Sequence, residues 1–217
     1  MIRNVLAAAI IATLAIAAPM TVSAQAATAA SAQLGVPSQM VLSNSQRIIT
    51  TLEKRRAEFT KNRAALRTFV NSEFNQMFDR NFAATMVLGR HARGASQADI
   101  NAFSTALGDN LMQRYGSSLL DFNTRLTPRV KSETPLPNNL GVRVNSELIR
   151  GGGDPVPVNY FMHQVNGQWK VYDVQVEGVS FVQTFRNQFD TPLTQKGIKA
   201  VAADLASGQL QASTKSK

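Results

Sequence analysis

The 217-residue chain contains no cysteine. Disulfides are therefore excluded, as are thiolate zinc sites and cysteine nucleophiles. The modified N-terminal cysteine of a lipoprotein is excluded too. Stability has to come from burial, which a domain of this length can supply. Histidine is almost as scarce. His91 and His163 are the two present, so a metal site could draw only on them and on carboxylates, and none is expected. The Gly-x-Ser-x-Gly signature of a serine hydrolase is missing. Gly151-Gly152-Gly153-Asp154 is not a phosphate loop, because no Gly-Lys-Ser/Thr follows and a strand rather than a helix comes next. No cofactor motif is found.

Long apolar runs are few. Val5–Ala18 covers 14 residues, short of the 18 or so needed to span a bilayer. Arg3 precedes it, Pro19 breaks it, and Val22-Ser23-Ala24 offers small residues for cleavage. This is the layout of a secretory signal peptide rather than a membrane anchor. Cleavage after residue 24 is expected, leaving a soluble chain of 193 residues. Residues 25–40 read as a loose leader, 41–208 as a single domain and 209–217 as a disordered tail.

Acidic residues are outnumbered. Without Arg3 there are 22 basic and 14 acidic residues, a net charge of +8. An exported protein rarely meets nucleic acid, and no nucleic-acid partner is expected. The charge serves solubility and weak attraction to anionic membranes or acidic partner faces. Lys54-Arg55-Arg56 reads as a solvated helix face rather than an RNA-binding patch.

What is abundant is apolar periodicity. Ile48, Ile49, Leu52 and Phe59 lie on one side of a helix from about 44 to 60. Leu66, Phe69, Val70, Phe74, Met77 and Phe78 recur at spacings of three and four, a strong amphipathic signal. Asp79 is placed to cap a further helix with Phe82, Met86 and Val87, which Gly89 stops. Ser96 caps the longest stripe: Ile100, Phe103, Leu107, Leu111, Tyr115 and Leu119. His91 follows a helix stop and is expected to be exposed.

Beyond residue 125, β-branched residues, Pro and Gly increase. Arg125–Glu133, Val142–Arg150, Val156–Val165 and Gln168–Glu177 read as strands. Asn166-Gly167 is the strongest hairpin signal in the chain. In the last strand, Tyr172, Val174 and Val176 share one face, and Val171, Asp173, Gln175 and Glu177 the other. Ser180 is placed to cap a helix carrying Phe181, Phe185 and Phe189. Thr191-Pro192 is read as the start of a separate final helix. The fold class is α+β: a twisted antiparallel sheet of about four strands against a group of helices. The helical stripes are broad enough to enclose an apolar cavity.

His163 and Asp173 lie on paired strands. A His–Asp acid–base pair in a cone-shaped cavity is the enzymatic alternative. The simpler reading gives His163 a hydrogen bond to a neighbour and Asp173 a backbone-capping role.

Trp169-x-x-Tyr172-Asp173, Glu177-Gly178-Val179-Ser180 and Lys196-Gly197-Ile198 resemble the MlaC family, also called the toluene-tolerance auxiliary family. Val87-Leu88-Gly89 and the helix Phe103–Tyr115 fit the same pattern, so the resemblance runs from about 40 to 206. The segment Asn159–His163 departs from the usual pattern. The resemblance implies a monomeric periplasmic phospholipid carrier that is not an enzyme and contributes to outer-membrane lipid asymmetry. Its implied partners are an inner-membrane ABC transporter with an MCE-domain subunit and an outer-membrane lipoprotein–porin complex. A hopanoid-type ligand stays open. On this reading the acyl tails are enclosed by Val87, Phe103, Leu107, Leu111, Tyr115, Tyr160, Met162, Tyr172, Val174, Val176, Phe181, Val182 and Phe185.

Overall fold

The computed structural model describes residues 34–120 and 126–213. The expected signal peptide, most of the leader, Arg125 and residues 214–217 lie outside the described residues.

The first helix, α1, spans Val36–Lys54 and starts earlier than its apolar spacing suggests. Pro37 suits a first helical turn, because its missing N–H has no intrahelical partner there. Pro37 and Ser38 are buried, and Ser38 Oγ donates to Glu133 Oε2 at 2.8 Å. Residues 36–40 thus belong to the domain, not to the leader. The single helix expected over 44–60 is two, with α2 at Arg56–Lys61. Helix α3 spans Arg63–Met77, with Asn62 as its cap.

Helix α4, Arg80–Leu88, is capped by Asp79, whose Oδ1 accepts from Phe82 N at 2.9 Å. It ends at Gly89, whose φ of 55° suits a residue without a Cβ. Helix α5 spans Gln97–Tyr115, with Ser96 accepting from Asp99 N. Leu119 falls in a separate short turn, Ser117–Leu120.

The strands are β1 (Leu126–Pro135), β2 (Val142–Arg150), β3 (Val156–Val165), β4 (Gln168–Val176) and β5 (Val179–Ser180). They form one antiparallel meander in sequence order. Two tight turns have both central residues at positive φ: Asn166-Gly167 and Glu177-Gly178. That is the hairpin geometry compatible with strand twist. The second turn adds the two-residue β5, a strand beyond those expected.

The alternation expected in β4 does not hold. Met162 opposes Val171 and Phe161 opposes Asp173, so Tyr172 is the extra residue of a β-bulge. Val171 consequently joins the buried cluster that Val174 packs against. The bulge lies beside a stitch between sheet and helices: Asp79 N donates to Val171 O at 2.9 Å, and Phe78 bridges Val171.

Helix α6 runs from Phe181 to Ser207 and passes through Pro192. The separate helix expected at Thr191-Pro192 is therefore not formed. A mid-helix proline costs about 3 kcal/mol. Here Phe189 and Leu193 on either side of it are both buried in one core, and their packing outweighs that loss. The break falls instead at Gly197, with φ 76° and ψ 171°.

Residues 209–213, expected as tail, are held. Asn110 Nδ2 donates to the carbonyls of Leu205 and Leu210, and its Oδ1 accepts from Ala212 N. Ala212 is fully buried.

Among the described residues, buried side chains form three separate groups. One joins α4, α5 and α6 through residues such as Val87, Phe103, Leu107, Phe189 and Val201. A second packs Val41 of α1 and Met77 of α3 on Val144, Met162 and Val171 of the sheet. The third is small: Phe59, Leu66 and Leu120.

Candidate functional site

The three cores do not merge. Between them lies a cavity of about 360 Å³. Its walls come from the α4–α5–α6 group and from partly buried side chains that border the other two. Helix α3 contributes Val70 and Phe74, the residue after its end contributes Phe78, and α4 contributes Ala83, Ala84 and Val87. Helix α5 contributes Leu107, Leu111, Met112 and Tyr115 along one face. The bulged strand contributes Tyr172, Asp173 and Val174, and α6 contributes Phe181, Val182 and Phe185. Most of the lining is apolar. An interior of this size would ordinarily close on itself, because protein cores pack as densely as organic crystals.

Among the expected residues, the structure brings Val87, Leu107, Leu111, Tyr115, Tyr172, Val174, Phe181, Val182 and Phe185 to the cavity wall. It places four elsewhere. Phe103 is fully buried behind the wall, edge-on to Phe189 at 5.9 Å. Met162 and Tyr160 pack in the sheet-side core, and Tyr160 faces Ser45 at 3.4 Å. Burial pushes the Tyr160 phenol above its ordinary pKa. Val176 sits at the start of the tight turn, opposite Val158 and Val179. The α3 wall was missed because its stripe serves two purposes. Leu66 and Met77 enter cores, while Phe74 and Phe78, stacked at 4.0 Å, border the cavity.

The polar residues near the cavity hold its walls in place. Ser180 Oγ donates to Asp173 Oδ2 at 2.5 Å, and Val182 N donates to Asp173 Oδ1 at 3.0 Å. Ser180 also caps α6 by accepting from Gln183 N. Burial raises the pKa of Asp173, and these hydrogen bonds oppose the rise. Burial likewise raises Tyr172, helped by the neighbouring Asp173 charge. Arg186 Nε ties α6 to the carbonyl of Met86 on α4 at 2.8 Å.

The acid–base pair is not assembled. His163 Nε2 lies 3.1 Å from Asp79 Oδ2, and its ring stacks on Phe82 at 4.3 Å. Asp173 is engaged by Ser180 and Val182 instead. His91 is not free in solvent as expected, since its Nε2 lies 2.9 Å from Asp190 Oδ1.

A sequence model of the family described as MlaC protein matches residues 42–207. The chain belongs to the MlaC family. Two relatives agree with that membership. The toluene tolerance protein ttg2D of Pseudomonas putida is 23% identical over 164 residues, covering 74% of each chain. The intermembrane phospholipid transport system binding protein MlaC of Haemophilus influenzae is 25% identical over 136 residues. That match covers 61% of this chain and 63% of the relative. The fold is also that of a solved structure, the phospholipid-binding protein from Ralstonia solanacearum in complex with a phospholipid. Its TM-score is 0.68 at 19% identity, covering 78% of this chain and 94% of that one. The MlaC fold thus accounts for the helices and the meander.

Proposed function

We propose that this MlaC-family chain is a lipid carrier of the periplasm, exported with its signal peptide removed, and that it catalyses no reaction. It would shuttle a phospholipid between an outer-membrane lipoprotein–porin complex and an inner-membrane ABC transporter with an MCE-domain subunit, supporting outer-membrane lipid asymmetry. The observation that carries the reading is the apolar cavity where three cores fail to meet. The names of the relatives, one a phospholipid transport binding protein and one a phospholipid complex, supply the ligand class.

Energetics favours a cavity over a surface groove. Two 16-carbon tails hold about 30 methylene-type groups, and exposing them to water costs on the order of 25 kcal/mol. Polar contacts to a head group cannot offset that, so the protein interior must replace the lost burial.

Native mass spectrometry of the purified protein, followed by organic extraction, tests the proposal. One diacyl lipid per chain is expected. Lipid-free protein that takes up nothing from vesicles would overturn it.

A further inference from the structure

The cavity changes character at one end. Phe78, Arg80 and Ser104 belong to its wall and also to the wall of a polar pocket of about 500 Å³. Asn75, Asp79, Asn81, Asn101, Thr105 and Lys170 line that pocket. Along α5 the wall runs from Ser104 to Tyr115, eleven helical steps or about 16 Å. A molecule with an apolar body and a polar end would span the two regions.

Arg80 stands at their junction. Its Nη1 donates to Asn75 Oδ1 at 3.1 Å and its Nη2 to Ser104 O at 3.3 Å, both uncharged acceptors. Among the described residues it forms no ion pair with a carboxylate. A guanidinium has five N–H donors in a planar fork, and these two contacts leave others for a ligand. Arg80 is also the first residue of α4, where the helix dipole disfavours a cation. The local rule is broken with no pairing to explain it. Its position needs Gly108, since a Cβ there would stand 2.8 Å from Nη2. Asp79, in the wall of the polar pocket, is engaged by Phe82 N and His163. Lys170 adds a second cation, with its Nζ donating to Gln76 O at 2.6 Å.

We propose that Arg80, supported by Lys170, receives the phosphate of the bound lipid at the polar end of the cavity. Phosphate oxygens match the guanidinium fork. The inference rests on the carrier reading, and its test separates the two. Protein is incubated with vesicles containing phosphatidylglycerol and diacylglycerol of the same tails, and the bound ratio is measured by mass spectrometry. Wild type is expected to favour phosphatidylglycerol. Arg80→Gln should lower that preference about tenfold, the scale of a hydrogen bond to a charged group. Gly108→Ala should lower it in the same direction but by less, because the added Cβ presses on the tip of a flexible arginine that can shift. Thermal melts of both variants establish that they fold.

Arg63 and Arg67 border another small pocket, which shares Met112 and Gly116 with the cavity. A ratio that moves only in the Arg63→Gln/Arg67→Gln double variant would place the phosphate at that end and overturn the proposal. So would a ratio unchanged in every variant. Tight binding of inorganic phosphate by lipid-free wild type, lost in Arg80→Gln, would also overturn it by making this a free-anion site. Failure of wild type to load either lipid would instead defeat the carrier reading itself.

Discussion

Asp173 on β4 accepts the backbone N–H of Val182 in the first turn of α6. That bond and the one from Ser180 Oγ to the other carboxylate oxygen fix the angle at which α6 leaves the sheet. The two walls of the cavity are thereby joined by one side chain. Gly178, at φ 84°, lets the chain reverse between them.

The pKa of Asp173 is raised by burial, which gives a signed pH dependence. A group whose folded pKa exceeds its unfolded value, near 4, stabilises the fold fully only below that unfolded value. Its contribution is lost as pH rises through the folded pKa. Asp173→Asn keeps an acceptor for Val182 but cannot ionise. Its stability relative to wild type should therefore be most favourable at pH 7 and decline toward pH 4. Asp173→Ala, which removes both acceptors, should lose about 1–2 kcal/mol. Urea titrations across that pH range check both. A relative stability of Asp173→Asn that improves on acidification would contradict the account.

Val174 borders the empty space, and Phe103 is enclosed by other side chains. Val174→Trp should therefore cut lipid per folded chain severalfold while shifting the melting temperature by only a few degrees. Phe103→Ala should behave oppositely, destabilising by about 3–5 kcal/mol with little change in lipid carried per folded molecule. Paired melts and lipid extractions on the two variants measure the contrast. Unfolding by Val174→Trp would mean that its surroundings are packed rather than open.

Asn110 holds the end of α6 and the chain beyond it with three hydrogen bonds in a buried setting, one to Leu205 and two to Leu210 and Ala212. Its replacement by Ala leaves two carbonyls and an N–H without those partners. A loss of about 2–3 kcal/mol is expected, together with faster exchange at the Ala212 amide. Denaturation and hydrogen-exchange measurements provide the readouts. Protection at Ala212 equal to wild type would show that residues 209–213 are held by something else.

Local sequence was enough for the helix caps at Asp79, Ser96 and Ser180 and for the turn at Asn166-Gly167. Each depends on groups within a few residues of one another, and a short side chain or a glycine has few ways to satisfy them. The apolar stripes on α5 and α6 were legible for the same reason: their period is a property of one helix. Long-range packing set the rest. It carried α6 through Pro192, because the buried Phe189 and Leu193 on either side outweigh a broken helical bond. It placed the bulge at Tyr172, which alternation within β4 alone could not reveal. It also separated Phe103, Tyr160, Met162 and Val176 from the residues that face open space. Whether an apolar side chain meets a neighbour or a void depends on segments up to a hundred residues apart, and no periodicity in one segment encodes that distance.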